Sequence, residues 1–233
     1  MTRVQWLLPL LAVVLACLGS PTEPSTTPAV PTSWAAAVTN PFFPLTPGTT
    51  YTYSSTGSEG ALTTTAEVMA APRVINGVNA VEVHDVVRSG TDLVEDTFDW
   101  YAQDLEGNVW YLGEDTKEYE NGVVTSTAGT WQWGMAGAQP GIIMWADPAM
   151  HIGDPYRQEY LAGQAEDWGR VLLVNQAVTV AFGTFTGCVT IEEWNSLTPQ
   201  APHDRKTYCP GIGPVLKTTP GTTDREELVS RTP

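Results

Sequence analysis

The stretch "VEDTFDWYAQDLEGNVWYLGEDTKEYENGVV", Val94 to Val124, decides the fold. Apolar and polar residues alternate through it, and side chains two apart share one face of a strand. Turn signals punctuate it: "DLEG" at 104–107, then Asn121-Gly122, a dipeptide suited to a type I′ hairpin. The stretch reads as paired antiparallel strands. Yet it carries nine Asp and Glu residues, and strands usually avoid Asp. Those carboxylates have three readings: a solvated sheet face, a cation site, or a reaction centre.

The same grammar continues on both sides. Thr49–Thr56 and Ala61–Met69 read as strands joined around "GSEG". Val78–Val87 follows the Asn76-Gly77 turn, and "RSGTD" links it to Leu93–Gln103. Further on, Tyr156–Ala162, Val171–Gln176, Val178–Phe182, Thr184–Trp194, Arg205–Cys209 and Pro214–Thr218 read as strands. Helical periodicity is nearly absent. Short strands punctuated by turns predict an all-β domain, a single antiparallel meander closing into a barrel or curved half-barrel over residues 40–231. Trp133 to Pro155 breaks the pattern, being rich in Gly, Ala, Pro and Met. It reads as a long loop with a short apolar strand or turn at Gly141–Ala146. Its two readings are a hydrophobic lid over an open end and a plug that completes the core.

Ahead of the domain, "MTRVQWLLPLLAVVLACLGS" has one basic residue, Arg3, and an apolar run from Trp6 to Leu18. A bilayer span takes about 20 apolar residues, so the run has the layout of a secretory leader. Val14-Leu15-Ala16-Cys17 resembles a bacterial lipobox. That resemblance implies a signal peptide over residues 1–16, cleavage before Cys17 and lipid attached to it. Residues 17–39 are rich in Pro, Ser and Thr and read as an extended tether. The chain is thus expected in the bacterial cell envelope, exported and membrane-anchored.

Charge narrows the partners. The chain has 11 basic and 26 acidic residues, a net charge of −15, or −16 once Arg3 leaves with the leader. Such a surface repels phosphate backbones and anionic headgroups, so no nucleic-acid partner is expected. The membrane is reached through the N-terminal lipid alone. With Cys17 lipidated, Cys188 and Cys209 remain as an even pair in an exported protein, which suggests a disulfide. A hairpin folded about Thr198-Pro199 sets Cys188 opposite Cys209 and Glu192 opposite Arg205. Two free buried thiols are the alternative.

"VTVAFGTFTGCVTIEEW", Val178–Trp194, and "RKTYCPGIGPVLK", Arg205–Lys217, resemble the closing hairpins of uncharacterised bacterial secreted and lipoprotein families. "NPFFPLTPGTTYTY", "DWYAQDLEGNVWYLGED" and "YRQEY" resemble further segments, so the likeness covers most of Asn40 to Lys217. It implies an antiparallel barrel or half-barrel, loosely as in LolA/LolB-like envelope lipoproteins, and no assigned activity. Cys209 departs from the pattern, where relatives often carry a small residue.

A three-residue "DLEG" loop with Gly107 left-handed would set Tyr101 opposite Tyr111 and Asp99 opposite Gly113. Glu95, Asp99, Tyr101, Tyr111, Asp115 and Lys117 then share one side. Asp96, Phe98, Trp100, Trp110, Leu112 and Glu114 share the other, which is more apolar near the turn and is expected to pack inward there. The candidate catalytic carboxylates are Asp96, Asp99, Glu114 and Asp115. The aromatic residues Trp100, Trp110, Tyr101 and Tyr111 are the candidate ligand-binding set, and Glu166 and Asp167 are candidate additions to the acidic cluster. Acid–base chemistry needs two carboxyls whose proton affinities are pushed apart. Ca²⁺ is the one cofactor candidate, although no EF-hand spacing is present. His84, His151 and His203 show no metal-ligand spacing, and there is no nucleophile elbow, phosphate loop or dinucleotide fingerprint.

The reading that combines these features is a lipid-anchored barrel that binds or shelters an apolar or amphipathic small molecule or lipid, with Trp133–Pro155 over its opening. The alternatives are a hydrolase-like extracytoplasmic enzyme using the carboxylates and a Ca²⁺-stabilised structural module.

Overall fold

The computed structural model describes residues 29–58 and 60–233. The expected leader, Cys17 and the first part of the tether lie outside the described residues. The meander begins with β1 (Thr50–Thr56), β2 (Leu62–Val68), the short β3 (Arg73–Ile75), β4 (Val78–Ser89), β5 (Asp92–Gln103) and β6 (Val109–Glu120). Three short strands follow: β7 (Val123–Ser126), β8 (Trp131–Gln132) and β9 (Gln139–Met144). After a 3₁₀ turn at Pro148–His151 come β10 (Pro155–Arg157), β11 (Glu159–Tyr160), β12 (Asp167–Val180), β13 (Gly183–Asn195), β14 (Asp204–Cys209), β15 (Gly213–Thr218) and β16 (Arg225–Thr232).

All strand pairs are antiparallel, and the sheet runs β10-β12-β13-β14-β15-β16-β1-β2-β4-β5-β6-β9-β11. Two features curl it into a nearly closed barrel. The last strand pairs with the first, Thr50 opposite Thr232 through Thr56 opposite Arg225. The two ends of the path, β10 and β11, are one chain segment joined by Gln158, paired to β12 at Tyr156 and to β9 at Glu159. Closure removes the open edges that invite aggregation.

The Asn-Gly turns form as expected. Asn76 and Gly77 have φ of 45° and 84°, Asn121 and Gly122 of 53° and 76°, as a type I′ turn requires. The Cys188–Cys209 disulfide is present, with Glu192 opposite Arg205.

Four expectations change. Tyr101 does face Tyr111, but the register then slips at a bulge, so Gly113 faces Trp100 and Glu114 faces Asp99. The bulged Gly113 has φ of 137°, and a Cβ there would sit 2.4 Å from the carbonyl oxygen of Trp131. Because one extra residue flips every later side chain, Glu114 joins Asp99 on one face and Asp115 leaves it.

The inward face is also the opposite one. Tyr101 and Asp99 line the interior, and Thr97, Tyr111, Glu114 and Thr116 share their face. Trp100 and Trp110 are buried on the outer side under other cover. Trp34 bridges to Asp104 and sets its ring edge-on to Trp110 at 6.1 Å, so residues ahead of Asn40 already pack on the barrel. Trp110 donates its Nε1–H to Asp104 Oδ2 at 2.9 Å, and Trp100 donates to Glu82 Oε2 at 2.9 Å.

Trp133–Pro155 takes the second of its two readings: it completes the core and does not form a lid. It supplies β9, which extends the wall beside β6, and it buries Ile142, Met144 and Trp145 in the core. Burying such side chains is worth about 1.5–3 kcal/mol each, which holds the segment in the wall. Finally, β16 was not legible as a strand: "REELVSRT" puts charges at both alternating positions.

Candidate functional site

The barrel holds a cavity of about 200 Å³. One end is stoppered by the strap Phe43-Pro44-Leu45. Asn40 fixes that strap: its backbone N–H donates to Gln103 Oε1 at 2.8 Å, and its side-chain amide donates to the carbonyls of Gly107 and Trp145 at 2.9 and 3.0 Å. Phe43 then stands between opposite walls, 5.1 Å from Tyr101 and 6.1 Å from Tyr208.

Strand alternation builds the walls. On β1 and β2 the inward residues are Tyr51, Tyr53, Thr64, Ala66 and Val68. On β4 and β5 they are Val83, Asp85, Asp99 and Tyr101. Lys206 and Tyr208 of β14, Leu216 of β15 and Glu226 of β16 complete the far wall. Toward the β1–β2 turn the cavity meets a second, more polar hollow of about 300 Å³. The two share Thr64, Lys217 and Glu226, so those residues form a neck.

The interior is rich in carboxyls at depth. Asp99 accepts from the Tyr111 hydroxyl at 2.5 Å. Burial pushes Asp99 up to about 6, with Glu95 adding to the shift and the Tyr111 hydrogen bond opposing it. Burial pushes the facing Glu114 up to about 9, with Asp99 and Glu159 adding repulsion. Glu159 accepts from Trp131 Nε1 at 2.5 Å and is raised to about 8, again mainly by burial. Asp85 is raised well above the carboxylate range by burial and then by Asp99, Glu226 and Glu95. Asp99 and Asp85 keep some accessible surface, which belongs to the cavity they line.

A second cluster surrounds Lys206. Its amine contacts Glu193 at 2.8 Å, and Glu193 also accepts from Gln158 Nε2 at 3.0 Å and from the Tyr208 hydroxyl at 3.2 Å. Asp167 acts on Lys206 from the same side and is itself raised to about 6 by burial.

The structure thus splits the four candidate catalytic carboxylates. Asp99 and Glu114 meet inside the barrel. Asp96 lies on the other face, where it contacts His84 Nε2 at 2.6 Å, and that imidazole stacks on Phe98 at 4.2 Å. Asp115 lies on that face too and pairs with Lys117 at 2.9 Å. Of the aromatic candidates, Tyr101 and Tyr111 are stacked at 5.0 Å in the interior, and Trp100 and Trp110 are packed outside it. Asp167 joins the interior group, whereas Glu166 accepts from the Gly163 N–H and Ser196 Oγ on the exposed side.

Sequence reasoning missed Asp85, Glu159, Glu193, Lys206 and Glu226. One signal was available for Asp85: it interrupts the alternating apolar series Val83-x-Asp85-x-Val87. A charge on an otherwise apolar strand face is a candidate buried group. Among the described residues, no group of three or more His, Cys, Asp or Glu side chains is arranged to hold a metal ion.

No protein-family model and no curated protein matches the chain. Among solved structures, the chain is similar to a candidate exported protein with a YmcC-like fold from Bacteroides fragilis NCTC 9343. The TM-score is 0.47 and the identity 13%, over 82% of this chain and 99% of that one. It is also similar to a candidate lipoprotein from Parabacteroides distasonis ATCC 8503, with a TM-score of 0.39 and 12% identity over 82% and 98% of the two chains. A likeness to LolA or LolB is not shown.

Proposed function

We propose that the barrel binds an amphipathic small molecule in the cavity between the Phe43 strap and the Glu226 neck. The observation that carries this reading is the lining itself. Ala66, Val68, Val83 and Leu216 offer apolar surface, and Asp85, Asp99 and Lys206 converge on the same space. An apolar pocket with a few convergent polar groups is the usual form of a small-molecule site. The lipobox at Cys17 supports placing this barrel in the cell envelope on a lipid anchor, and the disulfide fits an oxidising compartment. The strongly acidic surface argues against nucleic acid as a partner.

The test uses a neutral amphiphile, 1-hexanol, and thermal unfolding. Binding to the native state at about 100 times Kd stabilises it by about 2.7 kcal/mol. A rise in Tm that Leu216→Trp abolishes, by filling the cavity, is the expected result. No rise at any concentration, or the same rise in Leu216→Trp, overturns the reading. For the anchor, Cys17→Ser should release the protein from membranes, and retention there counts against lipidation.

A second reading is acid–base catalysis, favoured by one observation: Asp99 and Glu114 face each other with proton affinities pushed apart to about 6 and about 9. Asp99 borders the cavity and Glu114 does not, so a substrate would touch Asp99 first.

A further inference from the structure

The cavity is lined by tyrosines and by a carboxyl with one unpartnered oxygen. Asp85 is deeply buried on β4, and its Oδ1 has neither solvent contact nor a hydrogen-bond partner. Asp99 on β5, Glu226 on β16 and Glu95 on β5 repel it, and Lys206 on β14 attracts it more weakly. The two lysines that line the cavity are already engaged. Lys206 contacts Glu193 at 2.8 Å, and Lys217 lies 3.4 Å from Asp204. Glu226 accepts from Ser55 and Thr64 at 3.1 and 2.9 Å, and Asp99 accepts from Tyr111, so both have hydrogen-bond donors. Of these acids, Asp85 alone lines the cavity with one carboxyl oxygen that has no donor. A buried acceptor left unmade is costly, by about 1–3 kcal/mol.

The rings of Tyr53, Tyr101 and Tyr208 line the same space. An ammonium group within about 6 Å of such a ring is attracted by its negative face. The polar hollow beyond the neck carries Glu95, Asp204, Asp224 and Glu226 against Lys217 and Arg225, an approach that favours cations.

We infer that the ligand's head group is an organic cation, an alkylammonium, with Asp85 as its counter-ion and the tyrosine rings as its walls. This rests on the amphiphile-binding reading and adds the class of ligand. The cation supplies a donor to the Asp85 carboxyl and offsets the local excess of acids. An anion of the same length meets Asp99 and Glu226 and is repelled.

The experiment is calorimetric titration at neutral pH and low salt with three chain-matched probes: hexylammonium, 1-hexanol and hexanoate. Hexylammonium should bind at least tenfold tighter than 1-hexanol, and hexanoate most weakly. Asp85→Asn should bring hexylammonium to within about twofold of 1-hexanol, measured on the same variant. Should that variant fail to fold, Glu226→Gln should lower the preference for hexylammonium over 1-hexanol severalfold. Equal binding of hexylammonium and 1-hexanol, or a preference that survives the substitution, overturns the inference and leaves the amphiphile site standing. Binding of none of the three overturns both.

Discussion

Asp99 and Glu114 face each other across β5 and β6, with the Tyr111 hydroxyl bonded to Asp99 at 2.5 Å, and they hold their protons to about 6 and about 9. Burial is the main cause for both, and Asp99 adds repulsion that raises Glu114 further. The facing pair therefore links the interior of the barrel to pH.

The sign follows from proton binding. In the unfolded chain these groups titrate near 3.8 and 4.5; in the fold they stay protonated to about 6 and about 9. Between those limits the native state binds more protons, so stability is full below about pH 4 and falls as pH rises toward 9. Glu159, raised to about 8, adds to the same slope. Calorimetry across pH should show Tm falling through this window. Glu114→Gln should match the parent near pH 4 and exceed it at pH 9 by about 4 °C or more, since about 1 kcal/mol moves Tm by about 2–4 °C at this size. Parallel curves for the two proteins count against a buried, protonated Glu114.

Gly113 sets the register that brings those two acids together. A Cβ at this position meets backbone, the Trp131 carbonyl at 2.4 Å and Gln132 Cα at 2.8 Å, and the φ of 137° is unfavourable for other residues. Gly113→Ala is expected to cost about 2–3 kcal/mol in urea unfolding. Gly122→Ala, with open space around its Cβ but a positive φ, should cost about 1 kcal/mol. Equal costs at the two sites would show that the close approach at the bulge is unimportant.

The disulfide ties β13 to β14 across a separation of 21 residues, and both cysteines are fully buried. Closing a loop of that length stabilises the fold by about 3 kcal/mol in the chain-entropy model. Urea unfolding with and without reductant should show a loss of that order. Full retention of stability on confirmed reduction contradicts the assignment.

Trp34 covers Trp110 and also lies 5.9 Å from Trp133. Trp34→Ala should shift tryptophan emission to longer wavelength as Trp110 meets water, and lower stability by about 2 kcal/mol. An unchanged spectrum would mean that residues ahead of Asn40 do not seal this face.

Alternation and turn chemistry by themselves determined most of the long strands, their antiparallel sense and two of the pairings. Tyr101 opposite Tyr111 and Cys188 opposite Cys209 follow from the "DLEG" and Thr198-Pro199 turns, because a turn fixes the register of the strands it joins. Which face of that meander became the interior was decided only in three dimensions. Period-two alternation says that two faces differ, not toward which of them the sheet curls, and here both faces near "DLEG" are buried, one by the barrel and one by Trp34. The bulge at Gly113 set Glu114 where Gly113 was expected opposite Asp99 and moved Asp115 to the other face, through a contact with β8 that a local pattern does not show. Asp85, Lys206 and Glu226 became neighbours because β16 closes on β1, and that closure carries no local signal in the charged "REELVSRT".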